Sequence, residues 1–234
     1  MMVNRKYVTY AAVAITAMAV LTACGAKKTA EQATKQEQQT KASTAVYAAT
    51  LEELHASGAA DSFALVDVDG DSTPELAAVD SEGPAEANTF LYTISSDGQV
   101  VEHERCMTGY DGAAIYFSEG KSILLTTQHL MGDTFLWKEV KGGKIKVLLE
   151  AQSSGYISDD PSGQEFLVDG KSVSLEEYSS AMNDYFTKYS PMTRIDLDGL
   201  TRVNASMTED VPEFEVVETT PYVSYEEIRS QLGQ

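Results

Sequence analysis

Apolar residues recur along this chain with two different periods, and the period changes twice. Tyr47, Leu51 and Leu54 stand at i, i+4 and i+7, one face of a short helix, and Gly58 is placed to end it. From Ser62 to Val173 the period falls to two. Phe90, Tyr92 and Ile94 alternate with Thr89, Leu91 and Thr93; Ile145, Val147 and Leu149 alternate with Lys144, Lys146 and Leu148. Turn signals separate these runs: Asp97-Gly98, Asp111-Gly112, Glu119-Gly120, Gly132-Asp133, Gly142-Gly143 and Asp169-Gly170. Short glycine-containing turns between alternating strands predict antiparallel hairpins.

The helical period returns at Ser174-Leu175-Glu176-Glu177, a capping box in which serine and glutamate satisfy each other's free backbone N–H. Leu175, Tyr178, Met182, Tyr185 and Tyr189 follow it on one face, expected to pack across the sheet. Phe214 and Val216 alternate with Glu213 and Glu215 as a late half-exposed strand, and Ser224-Tyr225-Glu226-Glu227 opens a short C-terminal helix. The predicted class is α+β: an antiparallel β-meander of hairpins, with a few short helices packed on it, in one domain spanning residues 45–234. Gly98, Gly120 and Gly142 lie at intervals of 22 residues, the length of a two-strand unit. No side-chain signature recurs with them, which favours a plain meander over blades or arrays.

One segment carries sharp chemistry. Asp67-Val68-Asp69-Gly70-Asp71-Ser72-Thr73-Pro74-Glu75 puts oxygen ligands at alternate positions, with Asp67, Asp69, Asp71, a backbone carbonyl at Thr73 and an acid at Glu75. A short loop wraps a hard cation such as Ca²⁺ in this way. Three carboxylates within five residues repel one another, by about 1 kcal/mol per close pair even in bulk water, until a cation neutralises them. Phe63-Ala64-Leu65-Val66 before the loop and Leu76-Ala77-Ala78-Val79 after it read as strands, and position 12 is Ala78. Neither feature suits an EF-hand, which needs flanking helices and a bidentate glutamate at that place. The bound ion would tie two core strands together.

The segment Phe63 to Asp80 resembles the calcium-loop segment of FG-GAP repeats, the blades of integrin-type propellers. It is also similar to the Asp-rich DxDGD…PEL segment of small surface lipoproteins of Gram-positive bacteria. The resemblance implies calcium as the ligand, and it implies a propeller-like sheet in part. Ser72 stands where glycine is usual, and Glu75 replaces the usual aspartate. Only one clear copy exists in the chain, whereas a propeller needs several. Asp196-Leu197-Asp198-Gly199 begins in the same way but lacks the third acid, and reads as a turn.

The N-terminus reads as an address. Asn4, Arg5 and Lys6 precede an apolar run of 15 residues, Tyr7 to Leu21, which ends in Leu21-Thr22-Ala23-Cys24. A bilayer-spanning helix needs about 20 apolar residues, so the run suits a signal peptide better than a span. Leu21 to Cys24 resembles the lipobox of bacterial lipoproteins. That resemblance implies cleavage after residue 23, lipidation of Cys24, and anchoring at the outer face of the cell membrane, where two or more acyl chains hold stably. Residues 24–44 carry no large apolar side chain and read as a lipidated N-terminus and flexible polar stalk.

Charge narrows the partners. Without residues 1–23 the chain keeps 15 Lys+Arg against 36 Asp+Glu, a net charge of −21. Such a field repels nucleic acid and favours cations. Lipidation uses one of the two cysteines, so Cys106 has no disulfide partner and reads as a small buried apolar residue.

Catalytic signatures are missing. His55, His103 and His129 are too far apart for a local zinc motif, and no G-x-S-x-G elbow or phosphate loop occurs. Trp137 and Phe135 could form a sugar or peptide platform, but in a meander such residues read as core. The expectation is a membrane-anchored extracytoplasmic binding or interaction module stabilised by Ca²⁺. Its partner would be an extracellular or cell-envelope protein or glycan. The alternative is an extracytoplasmic hydrolase of wall glycan or peptide, drawing on scattered carboxylates.

Overall fold

Strand alternation is the device that layers this protein. The computed structural model describes residues 45–81, 87–108, 113–129, 132–154, 164–208 and 211–232, all within the unit Gln38–Gln234. Segments 1–23 and 24–44, with Cys24, and the turn Asp111-Gly112 lie outside the described residues.

A single 3₁₀ turn, Ala45–Tyr47, leads into α1 (Ala48–Ser57), which Gly58 ends in the left-handed conformation. Four strands follow: β1 (Ser62–Val66), β2 (Glu75–Val79), β3 (Asn88–Ile94) and β4 (Val100–Met107). They form one antiparallel sheet in sequence order. Six more, β5 (Ala114–Ser118), β6 (Ile123–Gln128), β7 (Gly132–Lys141), β8 (Lys144–Ser154), β9 (Glu165–Val168) and β10 (Lys171–Val173), begin a second sheet. The chain then crosses as α2 (Leu175–Tyr189) and returns as β11 (Met192–Asp196), which pairs with β5. β12 (Gly199–Thr208) and β13 (Val211–Thr220) extend that edge, and α3 (Tyr225–Gln231) closes the described chain. The second sheet therefore has nine strands, in the order β10-β9-β8-β7-β6-β5-β11-β12-β13.

The class is α+β with antiparallel hairpins, as the periodicity predicts. Among the described residues no sheet closes into a barrel. The four-stranded meander is blade-like, but the other nine strands make a single sheet, so no blade repeats. The tips at Gly98, Gly120 and Gly142 are hairpin turns, and the first belongs to a different sheet from the other two. No helix among the described residues is long and apolar enough to cross a membrane.

Period two splits each central strand between two cores. On β2, Leu76 and Ala78 face α1 and α3 with Tyr47, Leu51, Leu54 and Ile228, while Ala77 and Val79 face the second sheet. On β5, Ile115 and Phe117 face the first sheet, while Ala114 and Tyr116 share the cluster of Tyr178, Met182, Phe186 and Tyr189 of α2. The layers thus run helices, sheet, sheet, helix. Both capping boxes form, at Ser174–Glu177 and Ser224–Glu227. Trp137 and Cys106 are buried core, as expected.

One apolar alternation does not point inward. A bulge between Trp137 and Lys138 shifts the β7–β8 register. Leu149, opposite Trp137, is buried, whereas Ile145 and Val147 keep 42 % and 51 % exposure. The bulge changes which residues share a face, which no pattern in β8 alone reveals. Val216 on the edge strand β13 is likewise 58 % exposed.

Candidate metal centre

β1 and β2 pair antiparallel with Val66 opposite Glu75, so the acidic loop closes a hairpin between two strands. Each aspartate folds back on the following backbone, as short acidic side chains do in turns. The Gly70 N–H donates to Asp67 Oδ1 (2.8 Å), the Asp71 N–H to Asp69 Oδ1 (3.1 Å) and the Thr73 N–H to Asp71 Oδ1 (2.6 Å). Ser72 adopts φ +69°, the left-handed region that the usual glycine takes without strain. The result is a convergence: one carboxylate oxygen from each of Asp67, Asp69 and Asp71 lies within 4.8 Å of the others. Two oxygens on one Ca²⁺ lie at most about 5 Å apart, twice a bond of 2.3–2.6 Å. Hard, oxygen-only donors at that spacing fit calcium.

Glu75, the fifth residue of the expected ligand set, stands apart from the three. It begins β2, is 3 % exposed, and its Oε2 accepts a hydrogen bond from the Val68 N–H at 2.8 Å. Its Oε1 accepts one from Thr93 Oγ1 at 3.3 Å. Glu75 thus closes the base of the loop from beneath. Thr73 keeps its place in the loop through its N–H bond to Asp71.

The loop is also fastened from outside the hairpin. The Gly120 N–H donates to the Asp67 carbonyl (3.1 Å), and the Ser122 N–H to the Val68 carbonyl (3.0 Å). Ser122 Oγ donates to the Asp69 carbonyl (3.0 Å). These donors sit in the β5–β6 turn of the second sheet. The backbones approach so closely that a Cβ on Gly70 would lie 2.8 Å from the Gly120 carbonyl oxygen. Sequence reading misses Gly120 and Ser122; the turn signal Glu119-Gly120 locates the turn but says nothing of its contact with the loop.

Electrostatics mark the loop as short of positive charge. Partial burial first, then the charges of Asp71 and Asp67, raises the Asp69 carboxyl, against the pull of the Asp71 N–H. Burial, with Asp69, Asp71 and Asp67 nearby, pushes Glu75 up to about 7, against the hydrogen bond from Val68. Between the ordinary value of 4.5 and about 7 the folded chain holds a proton that the unfolded chain has lost. Metal-free protein should therefore lose stability as pH rises through that window, and lose no more from this group above it. Urea unfolding across pH in chelator checks this. Glu75→Gln should flatten that part of the slope, and an unchanged slope in the variant contradicts the assignment.

The other sequence candidates lie elsewhere. Asp196–Gly199 is the β11–β12 turn. The histidines are separate: His55 stacks on Tyr225, His103 is buried on β4, and His129 pairs with Asp133. No family model matches the chain, and no curated protein or solved structure is significantly similar to it.

Proposed function

We propose that this chain is a lipid-anchored, extracytoplasmic protein whose β-rich domain is braced by Ca²⁺ and binds a molecule of the cell envelope or its surroundings. The observation that carries the calcium reading is the convergence of Asp67, Asp69 and Asp71 in a loop fastened to both sheets. Tethering is supported by Arg5 and Lys6, the apolar run Tyr7–Leu21 and the lipobox-like Leu21 to Cys24. The ion's role is structural. With no disulfide open to Cys106, a cation between carboxylates can hold the joint of the two sheets, where three backbone carbonyls are already engaged.

Two readouts test the two halves. The full chain expressed in a Gram-positive host should take up a palmitate label and sediment with membranes. Cys24→Ala should abolish both, and a soluble, unlabelled wild-type chain contradicts the anchor. Calorimetric titration should show one Ca²⁺ bound with a dissociation constant of about 10⁻⁴–10⁻³ M, the range of extracellular sites. Asp69→Asn should weaken it by about tenfold or more, and an absence of binding heat and of any competition with a calcium indicator contradicts the metal.

A further inference from the structure

A cleft of about 440 Å³ opens on the face of the second sheet that also carries α2, remote in sequence from the acidic loop. Its volume lies within the range of small-molecule sites. Among the described residues, four titratable side chains line it, and each has an acid or base partner. His129 Nδ1 meets Asp133 Oδ1 at 2.6 Å, and the Arg194 guanidinium is hydrogen-bonded to Asp196 Oδ2. Tyr116, Phe135 and Phe214 supply aromatic lining. Tyr116 stacks on Phe214 with centroids 4.8 Å apart, and Phe135 meets the edge of His129 at 6.2 Å.

We infer that this cleft binds a neutral sugar ring, a reading that rests on the chain being a binding module but on neither its calcium nor its lipid. The pairing of the charges selects the ligand class. A lone anion reaches the Arg194 guanidinium only beside the Asp196 carboxylate, and a lone cation reaches that carboxylate only beside the guanidinium, so each meets a like charge. A hydroxyl group both donates and accepts, so it can add to each pair without breaking it. It donates to an aspartate oxygen, accepts from the guanidinium, and can share a hydrogen bond with the imidazole nitrogen that Asp133 does not hold. The C–H face of the same ring suits the half-buried Phe214, which Tyr116 backs from behind.

The pairs are also held in place before any ligand arrives, which lowers the ordering cost of binding. Asp196 Oδ1 accepts from the Leu197 N–H at 3.0 Å, and its main-chain carbonyl takes the Tyr222 hydroxyl at 2.7 Å. Arg194 lies opposite Tyr116 in the β11–β5 register. Asp133 is anchored through its own N–H to Ser153 Oγ at 3.3 Å. His129 is the most open of the four, with 42 % of its side chain exposed.

Saturation-transfer NMR on the full chain tests the assignment, with glucose, galactose, mannose and N-acetylglucosamine as probes and acetate and ethylamine as charged controls. Saturable transfer to at least one sugar is expected, and none to the controls. His129→Ala and Phe214→Ala should each weaken that binding by about tenfold or more, the effect of losing a charge-assisted hydrogen bond or a stacking face. A retained melting transition shows that the variants fold, and the exposed His129 makes its variant the safer of the two. No transfer to any of the four sugars, transfer to the controls instead, or unchanged binding in both folded variants overturns the inference. Palmitate labelling and calcium titration read the anchor and the loop separately, so this inference can fail while they stand.

Discussion

Replacing Trp137 by alanine is expected to lower the unfolding free energy by about 4 kcal/mol, within the range for emptying a buried indole site. Trp137 has no exposed surface and lies where β7 meets α2, with ring centroids of Tyr185, Phe186 and Tyr189 at 5.2, 5.4 and 5.7 Å. Three aromatic side chains on one helix cannot collapse into the gap without moving that helix. Single domains are stable by only about 5–15 kcal/mol, so the loss is a large share of the total. Trp137→Phe should cost far less. It keeps an aromatic ring in the site and removes the indole Nε1, which is buried without a hydrogen-bond partner. Urea unfolding of the three proteins checks the ordering, and a phenylalanine variant as weak as the alanine variant contradicts it.

Lys138→Met should cost about 3 kcal/mol for a different reason. Lys138 projects from β7 of the second sheet and Glu104 from β4 of the first; they form an ion pair across the interface, with side chains 8 % and 16 % exposed. Removing the ammonium leaves a carboxylate with little access to water, and breaking one side of a buried pair typically costs about 3–5 kcal/mol. Glu104 keeps a little water, which sets the expectation at the lower end. Adding Glu104→Met removes the stranded charge, so the double variant should recover most of the loss. If the double variant is as unstable as the sum of both single changes, the pair is not the source of the effect. His103 lies beside it, its imidazole held below the ordinary value by burial and then by the Lys138 charge. Lys138→Met should therefore move the His103 titration upward in NMR.

Local signals in this sequence translate into local structure with few surprises. The capping boxes at Ser174 and Ser224 form, because their partners are three residues away. Tyr47, Leu51 and Leu54 are buried on one face of the first helix, as their spacing requires. Asp67, Asp69 and Asp71 converge because each bonds backbone two or three residues ahead. What stays hidden is set by distance along the chain. Nothing near Met192 says that β11 will pair with β5, some 75 residues earlier. The break between β4 and β5 that creates two sheets leaves no mark in the alternation on either side. Glu75 reads as a loop ligand by spacing, yet as the first residue of a strand buried on both faces it turns toward Val68 and Thr93. His129 with Asp133 and Arg194 with Asp196 look like isolated strand-end charges until the second sheet's order brings both pairs to one cleft.

Amide hydrogen exchange at Gly120 and Ser122, with and without Ca²⁺, reads the proposed brace at the place where it acts. These two N–H groups donate to the carbonyls of Asp67 and Val68, and so join the β5–β6 turn of one sheet to the acidic loop of the other. At a free calcium concentration ten times the dissociation constant, binding stabilises the closed loop by about 1.4 kcal/mol. Both amides should then exchange about tenfold more slowly than in chelator, and Asp69→Asn should cancel the difference. Identical exchange at Gly120 and Ser122 in calcium and in chelator would contradict a calcium-braced joint.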